Sequence, residues 1–214
     1  LSRENRLIWG AIGLHPCEIT ANTLIELPSE LNRWRHLLNQ NPKLVAIGEI
    51  GLDYHRLPEA GATSRQLAVL EEMIIFALEV EKPIIFHCRD AYGDLATIIS
   101  QHSGLRGVVH CFSGNWQEAE AFLELGLYLS LAGNLTYPKS GAIVDVAKRA
   151  PLERLLIETD CPFLPPQSHR GERCDPRMVK ETAQFLADTR DQPLATILAA
   201  TTKNALNLFG LPNQ

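Results

Sequence analysis

Glu49, His87, His110 and Asp160 are the residues of this chain whose types and places could do chemistry together. Each comes at or soon after the end of a short apolar run: residues 45–47, 84–86, 108–109 and 155–157. A polar side chain at the C-terminal end of a buried strand, repeated over successive strand–helix units, is how a (β/α) barrel assembles an active site. Two imidazoles and two carboxylates form the ligand set of a hydrolytic metal centre. Burying two carboxylates without a cation is costly, and a divalent ion removes that cost. The four side chains are therefore expected to converge on one axial point.

The elements that must position them alternate. Strands are expected over residues 7–13, 44–48, 84–86, 107–109, 127–131 and 155–157. Helices are expected over 29–40, from Thr63, over 92–102, from Asn115 to Gly126, over 142–149, over 176–189, and as two pieces at 194–200 and 203–209. Residues 50–62 read as a long loop. Thr63-Ser64-Arg65-Gln66 matches a capping box, as does Asn115 with Glu118. Asp175-Pro176 reads as an N-cap followed by proline at the first helical position. Repeated strand–helix units imply an α/β fold with a parallel sheet. The count is six strands, whereas a closed TIM-type barrel has eight. Either the sheet is open or two units precede Leu1. The expectation is one domain over residues 1–214, a TIM-type (β/α) barrel of six units whose first two strands are absent.

Strand parity adds detail. If Glu49 faces inward, Ile47 and Val45 share its face. Ile85 goes with His87, and Val108 with His110. Glu158 has the parity of Asp160. It either accepts a hydrogen bond that orients a ligand histidine or turns aside where the strand frays. Cys88, Cys111 and Cys161 each follow a ligand candidate, point the other way, and read as small buried hydrophobes. His15, before Pro16, lines the pocket or caps its strand. His36 and His102 read as surface residues, and His55 and His169 as loop residues over the mouth. Arg89 and Arg170 are better substrate contacts, because a guanidinium fork suits phosphate oxygens. Arg173 reads as solvated.

Composition narrows the classes. The chain has 214 residues, 45% of them hydrophobic, and a formal charge of −5. That argues against a broad basic surface for nucleic acid, though not against a strand gripped locally by metal ions and a few arginines. No run of eighteen apolar residues suggests a membrane span. The five cysteines include no Cys-x-x-Cys pair, so no disulfide framework or zinc ribbon is expected. The polar first residues do not read as a secretion signal, and a cytoplasmic location is expected.

Five stretches carry a resemblance: Gly13-Leu14-His15-Pro16, Gly48-Glu49-Ile50-Gly51-Leu52-Asp53-Tyr54, His87-Cys88-Arg89, His110-Cys111-Phe112-Ser113-Gly114 and Glu158-Thr159-Asp160-Cys161-Pro162. With them the chain resembles the TatD family of metal-dependent deoxyribonucleases. The resemblance implies a TIM-type barrel with one or two divalent ions, whether zinc, magnesium or manganese. By it, Glu49 bridges two metals, His87 and His110 hold one, and Asp160 serves the other and takes a proton from the attacking water. Two departures stand out. Cys174-Asp175-Pro176 replaces the family's Asn-Glu-Pro, which keeps a capping residue but loses the Asn. The family's first strand carries a His-x-His pair, and this chain has none. The expectation is a chain lacking its N-terminal part.

The resulting reading is a metal-dependent hydrolase cleaving phosphodiester bonds of DNA, as an exonuclease, with no membrane and no obligate protein partner. One alternative is a hydrolase of D-aminoacyl-tRNA or another ester. The other is a non-catalytic partial protein or binding module without the His-x-His ligands.

Overall fold

The computed structural model describes residues 5, 7–56 and 61–212. The chain divides into two compact units, residues 1–107 and 108–214.

The first unit runs β1 (Gly10–Ile12), α1 (Thr23–Gln40), β2 (Leu44–Asp53), α2 (Ala62–Glu79), β3 (Ile84–Arg89) and α3 (Tyr92–Ser100). β1 pairs with β2 and β2 with β3, both parallel. Strands joined by a helix and lying parallel are the expected βαβ unit. α2 lays Gln66, Val69, Leu70, Met73, Ile74 and Ala77 on one buried face, at the spacing that brings residues three and four apart together. With Ile47, Ile50, Leu52, Ile84 and Phe86 they form the core of this unit.

β4 (Gly107–Val109) begins at the last residue of the first unit, and the second continues with α4 (Trp116–Glu124), β5 (Tyr128–Leu131), α5 (Gly141–Arg149), β6 (Leu155–Ile157), α6 (Val179–Arg190) and α7 (Leu194–Phe209). β4 pairs with β5 and β5 with β6, again parallel. The capping box at Asn115 is present in both halves. Asp175 caps a 3-10 turn, Pro176–Met178, that leads into α6. The described residues thus hold six strands, as counted from the sequence.

Several boundaries differ from expectation. β2 continues to Asp53 and β3 to Arg89, so Glu49 and His87 sit within their strands rather than past the ends. The start of residues 50–62 is therefore strand, and residues 57–60 lie outside the described part. α1 begins at Thr23 and passes through Pro28. Proline removes one helical bond, but Leu27 and Trp34 are buried on either side and hold the helix together. α2 starts from Gly61, with no side-chain cap. Gln66, expected in a capping box, is buried and bonds the end of β2 instead. The two C-terminal pieces are one helix, since Thr201 is buried and its hydroxyl donates to the Ile197 carbonyl at 2.8 Å. His102 is not a surface residue: its side chain is largely buried, with Nε2 3.1 Å from Glu71. No helix among the described residues is long and apolar enough to cross a membrane.

Candidate metal-binding site

In the first unit, ligand atoms of His15, Glu49 and His87 lie within 4.8 Å of one another. Glu49 gets there through an irregularity. Gly48 pairs with Ile85 and Ile50 with Phe86, so Glu49 is one residue too many for the ladder. A bulge of this kind re-aims a side chain. It also breaks the parity expected through Val45 and Ile47: Ala46, Ile47 and Gly48 are buried in succession. Two glycines permit the close approach. A Cβ on Gly48 would meet the Ile85 Cβ at 2.6 Å, and one on Gly51, whose φ is +150°, would meet the His87 carbonyl oxygen at 1.9 Å.

β3 alternates as expected. Ile84, Phe86 and Cys88 are buried, while Ile85, His87 and Arg89 share the other, partly open face. His87 Nε2 lies 3.1 Å from Asp53 Oδ2. A carboxylate only accepts, so the ring donates there. In the neutral ring Nδ1 then carries the lone pair, and it lies 3.8 Å from Glu49 Oε2. Asp53 is built to hold that ring. It is buried, its Oδ1 accepts the Arg56 N–H at 2.9 Å, and Oδ2 also receives the Cys17 thiol at 3.5 Å. Gln66 clamps its backbone, accepting from Asp53 N at 2.9 Å and donating to Asp53 O at 3.2 Å. Burial alone would raise the Asp53 carboxyl. The Arg56 N–H and His87 outweigh burial and hold it below the usual carboxylate range. Burial and the Asp53 charge push the Cys17 thiol up, so Cys17 is a donor here and not a thiolate nucleophile.

His15 is arranged the other way round. It opens the 3-10 turn Pro16–Glu18, and its Nδ1 accepts the Cys17 N–H at 3.1 Å. The proton of the neutral ring then sits on Nε2, which lies 3.8 Å from Glu49 Oε2. Of the three side chains, Glu49 and His87 offer lone pairs, and His15 offers a donor. A carboxylate and an imidazole locked by a buried aspartate are a donor set that fits a divalent cation.

The second unit repeats the device. His110 follows β4, and its Nδ1 lies 2.8 Å from Glu158 Oε1. Glu158 also accepts from the Cys111 N–H at 2.9 Å and from the Ser130 hydroxyl at 2.6 Å. Its backbone N–H still bonds the Leu131 carbonyl at 3.0 Å, so the strand has not frayed. Glu158 is thus turned toward His110 and not aside. Burial would raise its carboxyl, but His110, Ser130 and the Cys111 N–H bring it below the usual range. Glu158 thereby fixes the orientation of the His110 ring through its Nδ1.

Asp160 lies beyond β6, part-exposed, and its carbonyl accepts the Phe163 N–H at 2.7 Å. The Arg170 guanidinium lies 4.3 Å from the Tyr137 ring centroid. The loop histidines are paired with acids: His55 with Asp90 at 3.1 Å, and His169 with Glu172 at 2.9 Å and Glu181 at 2.8 Å. Of the three cysteines read as buried, Cys88 is, Cys111 is intermediate and Cys161 is exposed. Cys161 follows the end of β6, where strand alternation no longer applies.

Asp53 and Ser130 are the residues that the sequence reading missed. Asp53 has the parity of Gly51 and lies in the motif, but the strand was ended too early to count it. Ser130 is a lone hydroxyl in an otherwise apolar strand, Tyr128–Leu131.

The sequence matches the family described as "TatD related DNase" over residues 1–210. The chain belongs to the TatD family. It is 38% identical over 208 residues to the uncharacterized metal-dependent hydrolase YabD of Bacillus subtilis, covering 96% of this chain and 79% of that protein. It is 31% identical over 217 residues to the human 3'-5' RNA nuclease TATDN2, covering 96% of this chain but 27% of that protein. Among solved structures, the Escherichia coli K12 TatD homolog YJJV is similar with a TM-score of 0.86 and 31% identity, covering 99% of this chain and 80% of that one.

Proposed function

We propose that residues 1–214 act as one TatD-type metal-dependent hydrolase domain that cleaves phosphodiester bonds of nucleic acid, with DNA attacked from a strand end. The observation that carries the reading is the His87–Asp53 pair at 3.1 Å, which turns His87 Nδ1 toward Glu49 at 3.8 Å, in a cluster that also includes His15. The name of TATDN2, a 3'-5' RNA nuclease, supports nucleic acid as the substrate class.

Glu49, His87, His110 and Asp160 would hold one or two divalent ions. Nitrogen and carboxylate donors accept zinc, manganese or magnesium alike. When bound, such an ion supplies positive charge to the phosphoryl oxygens and makes water more acidic. The remaining work falls to the protein. Asp53 and Glu158 keep His87 and His110 in one tautomer. His15 would donate a hydrogen bond from Nε2 to a non-bridging phosphate oxygen. Arg89 and Arg170 hold neighbouring phosphates. Asp160 would take a proton from water as the water oxygen bonds to phosphorus and the bond to the leaving oxygen breaks, the leaving oxygen taking a proton from solvent.

The test is cleavage of a single-stranded oligodeoxynucleotide by the purified chain before and after exhaustive chelation. Cleavage should vanish on chelation and return with a divalent ion. Cleavage that survives chelation would sink the reading.

A further inference from the structure

Phe163 is 67% exposed, three residues after Asp160, in a fold that buries Phe76, Phe86, Phe112 and Phe122 fully. Its loop is not free to fold it inward. The Phe163 N–H donates to the Asp160 carbonyl at 2.7 Å, and the Pro162 carbonyl accepts the Cys174 N–H at 3.0 Å. Pro165 and Pro166 are buried. The Tyr137 hydroxyl donates to the Pro165 carbonyl at 2.8 Å. Gly133 presses against the next peptide so closely that a Cβ there would stand 2.4 Å from the Leu164 carbonyl oxygen. Arg170, farther along the loop, rests on the same Tyr137. The loop therefore holds one aromatic ring out to solvent and, farther along, a cation seated on Tyr137.

We propose that Phe163 is the stacking face of a nucleobase subsite beside Asp160, taking an unpaired base while Arg170 meets the backbone. This rests on the phosphodiesterase reading above. A single flat ring suits one base. Of its exposed neighbours, Cys161 and Pro162 are small and Gln167 and Ser168 are polar, so Phe163 is the large exposed hydrophobic side chain of this loop. A base in a duplex has both faces stacked already, so this subsite reads a single strand or a frayed end.

The experiment compares cleavage of a single-stranded oligodeoxynucleotide with that of an abasic strand of the same backbone. The readout is the ratio of the two kcat/KM values, which a general loss of folded protein does not move. Phe163→Ala should lower that ratio about tenfold, in keeping with the contribution of one stacked base. Phe163→Trp should keep it. An unchanged ratio in Phe163→Ala, with the parent chain cleaving both strands, would overturn the subsite alone. A parent chain that cleaves neither strand would overturn the phosphodiesterase reading, and the subsite with it.

Discussion

Asp160→Asn should lower kcat for an oligodeoxynucleotide by about 10²–10⁴-fold, the range for loss of a positioned general base. The substitution is nearly isosteric. It keeps the carbonyl that accepts the Phe163 N–H at 2.7 Å, so the loop beyond it has its anchor. What it removes is the charge that takes a proton and balances a cation. Melting temperature should therefore stay close to that of the parent chain while turnover collapses. Near-normal kcat at saturating divalent ion would remove Asp160 from the mechanism, and the proposed roles of the other residues would need another base.

The second large effect concerns the fold that presents Glu49. Gly51→Ala would place a methyl group 1.9 Å from the His87 carbonyl oxygen, at a φ of +150° that a residue with a side chain rarely adopts. No rotamer relieves this, because the clash is with backbone. β2 must move away from β3, breaking the ladder that runs from Ile47↔Ile84 to Asp53↔Arg89. The loss should rival the whole stability of a domain, about 5–15 kcal/mol. Gly141→Ala is the control, since a Cβ there meets nothing within 4 Å. Circular dichroism should show Gly141→Ala melting like the parent and Gly51→Ala without a cooperative transition. A Gly51→Ala protein that melts within a few degrees of the parent would mean that β2 and β3 are not packed as described.

The ease of reading this chain from its sequence varied with the range of the forces involved. β4 and β6 came out with their observed bounds because each is an apolar run closed by loop residues. The start of α4 was legible because the Asn115 capping box is local. β2 was cut short because Gly51 and Asp53 look like loop residues. The first is there for a close strand approach and the second for a histidine far along the chain. Gln66 was misread for the same reason: its partners, Asp53 and Pro16, are distant in sequence. Pro28 looked like a helix breaker, and burial of Leu27 and Trp34 overrides it. Ligand types at Glu49, His87 and His110 were legible. The buried acids and hydroxyl that lock their tautomers, apart from Glu158, were not, since only the fold brings Asp53 to His87 and Ser130 to Glu158.

The central claim is that Glu49 and His87 hold a cation, whereas His15 beside them donates a hydrogen bond. Metal per chain, measured by elemental analysis on the purified parent, His87→Gln and His15→Gln proteins, tests it most directly. His87→Gln should lose bound metal, because it removes the nitrogen that Asp53 aims at Glu49. His15→Gln should keep it, because the Cys17 N–H already occupies the His15 Nδ1 lone pair. Full metal in His87→Gln, or equal loss in both variants, would contradict the account.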